Sequence, residues 1–97
     1  MITTKQRATL RSIAQKLEPS MQIGKEGLKP ESVTQIEEML NARELVKIRI
    51  LRNSDEDIKT LANSVAQKID AECVQVIGSV FVLYKYSHKK GIKHIQF

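Results

Sequence analysis

The sequence predicts an α/β fold (α+β in the broader sense): a single domain in the order α-β-α-β-α-β-β with a four-stranded mixed sheet. Helical apolar spacing alternates with short runs rich in Val and Ile along the chain. Helical connections between the first three strands predict that these strands pair in parallel, and a two-residue link at Gly78-Ser79 predicts an antiparallel last pair. A length of 97 residues is sufficient for one modest core.

The first helix is predicted over residues 4–17. Thr3 or Thr4 can cap its start, and Pro19 stops it. Arg7 and Arg11 are four residues apart, so they lie on one side of the helix. The apolar stripe beside them consists of Leu10, Ile13, Ala14 and Leu17.

A short strand over residues 21–23 ends at Gly24, and a second helix follows the loop after it. Pro30 suits the first turn of this helix, and Glu31 suits its positive N-terminal end. The helix is expected to end near Ala42 or Arg43. Its buried face is predicted to be Val33, Ile36 and Leu40.

The next strand, over residues 44–51, alternates between two faces. The residues predicted to point toward the core are Val46, Ile48 and Ile50. Lys47 and Arg49 point the other way, where they either line a ligand surface or extend over a covering helix.

The third helix is predicted to begin at residues 54–57, with Ser54 as its N-cap. The acidic residues after it suit the positive end of the helix dipole, which explains them more simply than a magnesium site does. The apolar stripe of this helix consists of Ile58, Leu61, Ala62, Val65 and Ile69.

Two β-rich runs, 73–77 and 80–86, complete the fold around the Gly78-Ser79 link. A Gly-Ser loop fits a type II′ turn, in which the glycine has positive φ. Tyr84 and Tyr86 are two residues apart on one face and are expected to pack in the core. The segment from Ser87 either extends as a basic tail or folds back through its few apolar residues.

The charge is unevenly distributed, and it favours a polyanionic partner. The net charge is +5 overall, with +4 over residues 1–29, −3 over 30–72 and +4 over 73–97. Basic ends of this kind are typical of nucleic-acid binding, and also of an ordinary solvated surface.

The residue types also narrow the chemistry. Cys73 is the single cysteine, so no internal disulfide or multi-cysteine zinc site is possible. The two histidines both lie near the C-terminus, so no catalytic arrangement, metal site or cofactor is predicted. Without a signal peptide or a long apolar run, the protein is expected in the cytoplasm.

The loop Gly24-Lys25-Glu26-Gly27 carries the functional argument. Two glycines three apart permit a tight turn and close approach of a ligand, and the following helix presents backbone N–H groups. Lys25 and Lys29 add positive charge. The loop is therefore either a phosphate-backbone contact, as in KH domains, or a simple strand-to-helix turn. It lacks the spacing of a Walker A or dinucleotide-binding loop.

The order of elements and three segments together resemble the CRM domain, the chloroplast RNA splicing and ribosome maturation domain, in its stand-alone bacterial YhbY-like form. These segments are the glycine loop through Leu28, the strand Glu44-Leu45-Val46-Lys47-Ile48-Arg49-Ile50, and the ending Gly78-Ser79-Val80-Phe81-Val82-Leu83-Tyr84-Lys85. The resemblance covers about residues 1–87, which defines a CRM-type domain followed by a basic C-terminal tail over 88–97. It implies a fold similar to the C-terminal domain of translation initiation factor three.

The resemblance implies RNA binding, with ribosomal RNA in precursors of the large ribosomal subunit as the expected partner. Carried over to this chain, the implied contact is Gly24, Lys25, Gly27 and Lys29. Glu26 departs from an all-basic loop and is expected to point aside. Further basic candidates are Arg7, Arg11, Lys85, Lys89, Lys90 and Lys93, each of which could instead be an ordinary solvated charge.

The leading hypothesis is thus a non-enzymatic RNA-binding module that acts in ribosome assembly. Two other hypotheses stay open. One is a ribosome-associated adaptor that binds proteins through Glu37 and Glu38. The other is a small enzyme, for which the sequence offers no set of catalytic residues.

Overall fold

The predicted order of elements is confirmed in a computed structural model, which describes residues 2–24, 28–51 and 57–97. The three helices are α1 (Thr4–Gln15), α2 (Pro30–Arg43) and α3 (Ile58–Lys68). The four strands are β1 (Met21–Ile23), β2 (Leu45–Ile50), β3 (Glu72–Ile77) and β4 (Val80–Tyr84). The fold is therefore mixed α/β, as expected.

The strands form one sheet in the order β1-β2-β4-β3. β1 pairs in parallel with β2, whereas β4 pairs antiparallel with both β2 and β3. The prediction of parallel pairing among the first three strands is therefore right for β1 and β2 and wrong for β3. β4 lies between β2 and β3 and is the more completely buried of the last two strands, as expected for an interior position.

The β3–β4 hairpin has the geometry expected of its Gly-Ser link. Gly78 has a φ of 57°, and Ser79 does not have positive φ. A type II′ turn requires positive φ at its first central residue alone, whereas a type I′ turn requires it at both. The turn therefore agrees with the type II′ prediction.

The two faces of the sheet are covered unequally. Helices α2 and α3 pack on one face and bury the larger cluster, which includes Ile36, Leu40, Val46, Ile48, Val65, Phe81 and Leu83. Helix α1 alone packs on the other face, in a cluster of Leu10, Ala14, Leu45, Val74, Val82 and Tyr84. These strand residues lie toward the end of the sheet where β2 and β3 begin, so α1 covers mainly that end.

Helix starts and ends differ from the prediction by a few residues. The Thr3 side chain and Gln6 form a capping box at the start of α1, which ends at Gln15, two residues early. Helix α3 begins at Ile58 with Asp57 as its N-cap, so the Ser54 cap is wrong; residues 52–56 lie outside the described part of the chain. Asp57 replaces it because its side chain accepts the Lys59 N–H at 3.1 Å and the Thr60 hydroxyl at 3.1 Å.

The last residues fold back on the domain instead of extending from it. Ser87 is buried, and its hydroxyl donates to the Asn41 carbonyl near the end of α2. Phe97 packs edge-to-face against Tyr84 with ring centroids 5.5 Å apart. Across the described ranges, no helix has the length and apolarity needed to cross a membrane.

Candidate nucleic-acid interface

The glycine loop joins the end of β1 to the start of α2, although Lys25, Glu26 and Gly27 lie outside the described residues. The residues on either side of it are described. The Leu51 N–H donates to the Ile23 carbonyl at 2.8 Å, which holds the chain after β2 beside the chain after β1. Gly24 is exposed, and a Cβ atom there would meet nothing within 4 Å. Lys29 is the N-cap residue of α2.

Arg7 fastens α1 to β3. Its Nη1 donates to the Cys73 carbonyl and, at 3.2 Å, to the Val74 carbonyl, and its Nη2 lies 3.9 Å from the Glu72 carboxylate. The pairing of β3 with β4 shifts by one residue at this point, which turns the two carbonyls toward the helix. Arg7 therefore has a structural role in addition to any ligand contact.

Arg11 lies one turn further along α1 and is exposed. It lines a groove of about 410 Å³ beside β3, together with Lys59 and Asn63 of α3. This groove places two cations near the exposed edge of the sheet. Arg11 is thus better placed than Arg7 for contact with a ligand.

Lys85 and the tail lysines lie at the other end of the sheet from Gly24. β4 runs antiparallel to β1 and β2, so the residue after β4 sits where those strands begin. The Lys85 Nζ donates to the Ile69 carbonyl at 2.8 Å and so caps α3, while Lys89 and Lys90 are exposed. Gly24 and the lysines after β4 therefore lie at opposite ends of the sheet.

Lys47 shows the second of its two expected behaviours. Its Nζ donates to the carbonyls of Ala14 at 3.3 Å and Leu17 at 3.2 Å, at the end of α1. The side chain crosses the sheet surface to reach carbonyls at the C-terminal end of the helix, where the Ala14 carbonyl also accepts the Leu17 N–H. Arg49, two residues on, is exposed.

A cross-strand row at the uncovered end of the sheet was not found from the sequence. Gln22 lies opposite Arg49, Arg49 opposite Val80, and Val80 opposite Ile77, so one residue from each strand contributes. We call these four residues the sheet row. Alternation along each strand indicates which face its residues occupy, but the row also depends on β4 lying between β2 and β3, which alternation alone does not indicate.

Glu44 is a second feature that the sequence did not predict. It is fully buried and has a left-handed φ of 67° as the C-cap of α2, instead of opening β2. Its carboxylate accepts the N–H of Ser87 at 2.7 Å and of Ile95 at 2.9 Å, and lies 2.7 Å from Nδ1 of His94. Burial by itself would raise the pKa of Glu44, but these hydrogen bonds outweigh it and lower the pKa.

Tyr86 belongs to this group and not to the core. β4 ends at Tyr84, which is buried as predicted, whereas Tyr86 is 51% exposed. The Tyr86 ring stacks on His94 with centroids 4.5 Å apart. Core packing was therefore the wrong prediction for Tyr86, because the strand ends before its alternation can place this ring.

The described residues contain no cluster of three or more metal-ligating side chains. Burial raises the pKa of the half-buried Cys73 thiol, so the thiol stays protonated at neutral pH. Among the described residues, the basic candidates are spread over the surface and do not converge in one pocket.

Comparison with known proteins adds a family relationship. The model of the CRS1 / YhbY (CRM) domain matches residues 2–85. YqeI of Bacillus subtilis, named a probable RNA-binding protein, is 42% identical over 87 residues, which is 90% of this chain and 91% of that protein. A Haemophilus influenzae protein named as RNA-binding is 32% identical over 92 residues, covering 95% of this chain and 93% of that protein.

A solved structure agrees with the sequence matches. The solution structure of a Staphylococcus aureus protein, described as a candidate RNA-binding protein, superimposes with a TM-score of 0.79 at 41% sequence identity. The match covers 93% of this chain and 94% of that one. Nearly the whole chain is therefore accounted for by one fold.

Proposed function

Because the chain belongs to the CRS1 / YhbY (CRM) domain family, we propose that it binds structured RNA, and that its ligand is ribosomal RNA in precursors of the large ribosomal subunit. The observation that carries the proposal is the family match over residues 2–85, together with relatives named for RNA binding. Those names describe binding and not a reaction, which agrees with the expectation of a non-enzymatic protein. A role in ribosome assembly in the cytoplasm is part of the proposal.

The proposed backbone contact is the glycine loop, Gly24-Lys25-Glu26-Gly27, together with Lys29 at the start of α2. A loop between a strand end and a helix start brings backbone N–H groups and the positive end of the helix dipole toward one point. Lys25 and Lys29 add two full charges, while the charge of Glu26 opposes phosphate. This arrangement suits a phosphate backbone and has little means of reading base sequence.

The remaining basic candidates extend the contact. Arg11 and the exposed Lys89 and Lys90 would supply phosphate contacts away from the loop. Arg7 and Lys85 would contribute their charge to the local field while holding backbone carbonyls. Such scattered positive charge predicts recognition of RNA shape and strong dependence on salt.

The test is a salt-dependent binding titration against large-subunit ribosomal RNA, with double-stranded DNA as competitor. A variant with Lys25→Ala and Lys29→Ala is compared with a control of equal charge, Lys16→Ala and Lys68→Ala, two exposed lysines outside the proposed site. The loop variant is expected to lose affinity and to reduce the log–log salt slope by about 0.7–0.9 for each phosphate that it no longer neutralises. The control is expected to bind nearly like the wild type.

Two outcomes would contradict the proposal in different ways. If the loop variant binds RNA like its control, the loop is a structural turn and the other basic residues carry the contact. If the wild-type protein binds no ribosomal RNA, the RNA proposal fails. The adaptor hypothesis then leads, and reversing the charges of Glu37 and Glu38 becomes the next experiment.

A further inference from the structure

We propose that the sheet row and the groove beside it form a second RNA contact, which receives an unpaired nucleotide next to the glycine loop. The inference rests on the proposed RNA-binding function and specifies where and in what form RNA meets the sheet. Its basis is the part of the sheet that α1 leaves uncovered. Neither the loop nor the tail lysines include these residues.

The uncovered face carries apolar and polar side chains next to each other in the sheet row. Ile77 is 62% exposed at the edge strand, and Val80 beside it is half-buried. Arg49 and Gln22 complete the row with side chains that can hydrogen-bond, and both are exposed. The Arg49 guanidinium can stack on the flat face of a nucleobase, and the exposed aliphatic side chains beside it offer apolar contact to the same base.

A groove separates the row from the end of α1 and has the size of a small ligand. Its volume is about 350 Å³, and its walls include Leu17, Pro19, Val82 and the row residues Arg49, Ile77 and Val80. Ligand pockets for small molecules typically span about 300–1,000 Å³, so the groove fits a single nucleotide and not a duplex. The occupant must therefore come from an unpaired part of the RNA.

The charges of the groove favour an anionic occupant. Arg49 and Lys47 line it, and Glu18 is the acidic residue on its wall. Lys47 is held by the α1 carbonyls, which leaves Arg49 as the side chain best placed to meet a phosphate or a base edge. An exposed arginine beside an apolar surface is a common arrangement for RNA.

The row is also continuous with the proposed loop contact. Gln22 lies two residues before Gly24, and Ile23 between them is held against Leu51 at the same end of the sheet. An RNA strand whose backbone lies on the loop would thus reach the row within a nucleotide or two. By contrast, Lys89 and Lys90 lie at the opposite end of the sheet.

The test compares two probes: a hairpin RNA with an unpaired uridine-rich loop, and a fully paired duplex of the same stem. Arg49→Gln and Ile77→Ser are measured against Lys68→Gln, which removes one exposed positive charge on α3 outside the row. Both row variants are expected to weaken hairpin binding by about fivefold or more, with little effect of Ile77→Ser on duplex binding. Circular dichroism melting checks that these exposed positions leave the fold intact.

A second measurement places the contact directly. With 4-thiouridine in the hairpin loop, ultraviolet cross-linking is expected to label the tryptic peptide 69–85, which contains Ile77 and Val80. If both row variants bind the hairpin like Lys68→Gln and the label falls elsewhere, the inference is overturned. Loss of binding by the Lys25 and Lys29 variant in that same case would leave the proposed function standing. If the wild type binds neither probe nor ribosomal RNA, the proposed function fails and the inference fails with it.

Discussion

Three basic side chains donate hydrogen bonds to backbone carbonyls within the fold. Arg7 holds two carbonyls of β3, Lys47 holds two at the end of α1, and Lys85 holds one at the end of α3. A hydrogen bond from a charged donor contributes about 1.5–3 kcal/mol, more than a neutral one, when it is protected from water. Substituting these residues therefore changes stability as well as any RNA affinity.

Lys85→Gln is expected to lower the free energy of unfolding by about 0.5–1.5 kcal/mol, because the Ile69 carbonyl at the end of α3 loses its donor. Lys89→Gln is the matched control, since Lys89 is exposed. Urea unfolding of the two variants measures the difference. Equal stabilities would show that the Lys85 hydrogen bond contributes nothing to the fold.

Glu44 gives a pH-dependent prediction. Its pKa is lowered from 4.5 in the native state, so its carboxylate contributes full stability above that value. As the pH falls below 4.5, the unfolded state takes up the proton first, and the contribution is lost as the pH passes through the lower native pKa. Glu44→Gln is expected to cost about 1–3 kcal/mol at neutral pH and to flatten the acid limb of the stability curve.

Urea unfolding of wild type and Glu44→Gln between neutral and acidic pH checks this expectation. Glu38→Gln is the control, because Glu38 is an exposed carboxylate on the same helix, α2. If the difference in stability between wild type and Glu44→Gln stays constant across the acid limb, the ionised carboxylate is not what holds the tail.

At this scale the sequence predicted which residues are buried in the strands better than it predicted polar contacts. Alternation places Val46, Ile48 and Ile50 correctly in one cluster. Glu44 precedes these residues, and the sequence predicted it to be the first residue of the same strand. Its burial depends on Ser87, His94 and Ile95, which are more than forty residues away, and no local pattern encodes such partners.

Ser54 and Asp57 were both available in the sequence as the N-cap of α3, and the structure has Asp57 in that role. Asp57 accepts two hydrogen bonds and lies directly before the first helical residue, so Asp57→Ala is expected to lower the free energy of unfolding by about 1 kcal/mol. Ser54→Ala, at the position that the sequence favoured, is expected to be nearly neutral. Thermal unfolding of both variants measures the difference, and a larger loss of stability for Ser54→Ala would place the functional cap there.

Strand order shows the limit of prediction at the scale of elements. The helical connections predicted the strand directions correctly, and β1, β2 and β3 do run parallel. Directions do not decide neighbours, because a hairpin can place either of its strands inside the sheet. The informative signal was composition: Val80-Phe81-Val82-Leu83-Tyr84 is continuously apolar, as an interior strand requires, whereas β3 contains Glu72 and Gln75.

For the whole molecule, the glycine loop and the basic C-terminal residues do not form one surface. The glycine loop lies where β1 and β2 end, and the lysines after β4 lie where those strands begin. The charge of the segments therefore predicted a negatively charged partner, but not which surface of the protein that partner contacts. The contact surface depends on the strand order and on the folded-back tail, and the net charge of a segment predicts neither.

The tail allows the stabilising and binding roles to be separated. Deleting residues 88–97 removes two hydrogen-bond partners from the buried Glu44 carboxylate, together with the packing of Phe97 against Tyr84. An unpaired buried charge is costly, so the deletion is expected to lower the free energy of unfolding by about 2–4 kcal/mol. The charge variant with Lys89→Gln, Lys90→Gln and Lys93→Gln keeps those interactions and is expected to unfold like the wild type.

RNA titration of the same two proteins completes the comparison. If the tail lysines contact phosphate, the charge variant is expected to bind ribosomal RNA more weakly and with a smaller salt slope, while its stability is unchanged. If the tail were mobile and unpacked, deleting it would leave the free energy of unfolding equal to that of the wild type. Wild-type stability after deletion would therefore contradict the packed tail, because the Glu44 carboxylate cannot lose His94 and Ile95 without a cost to the fold.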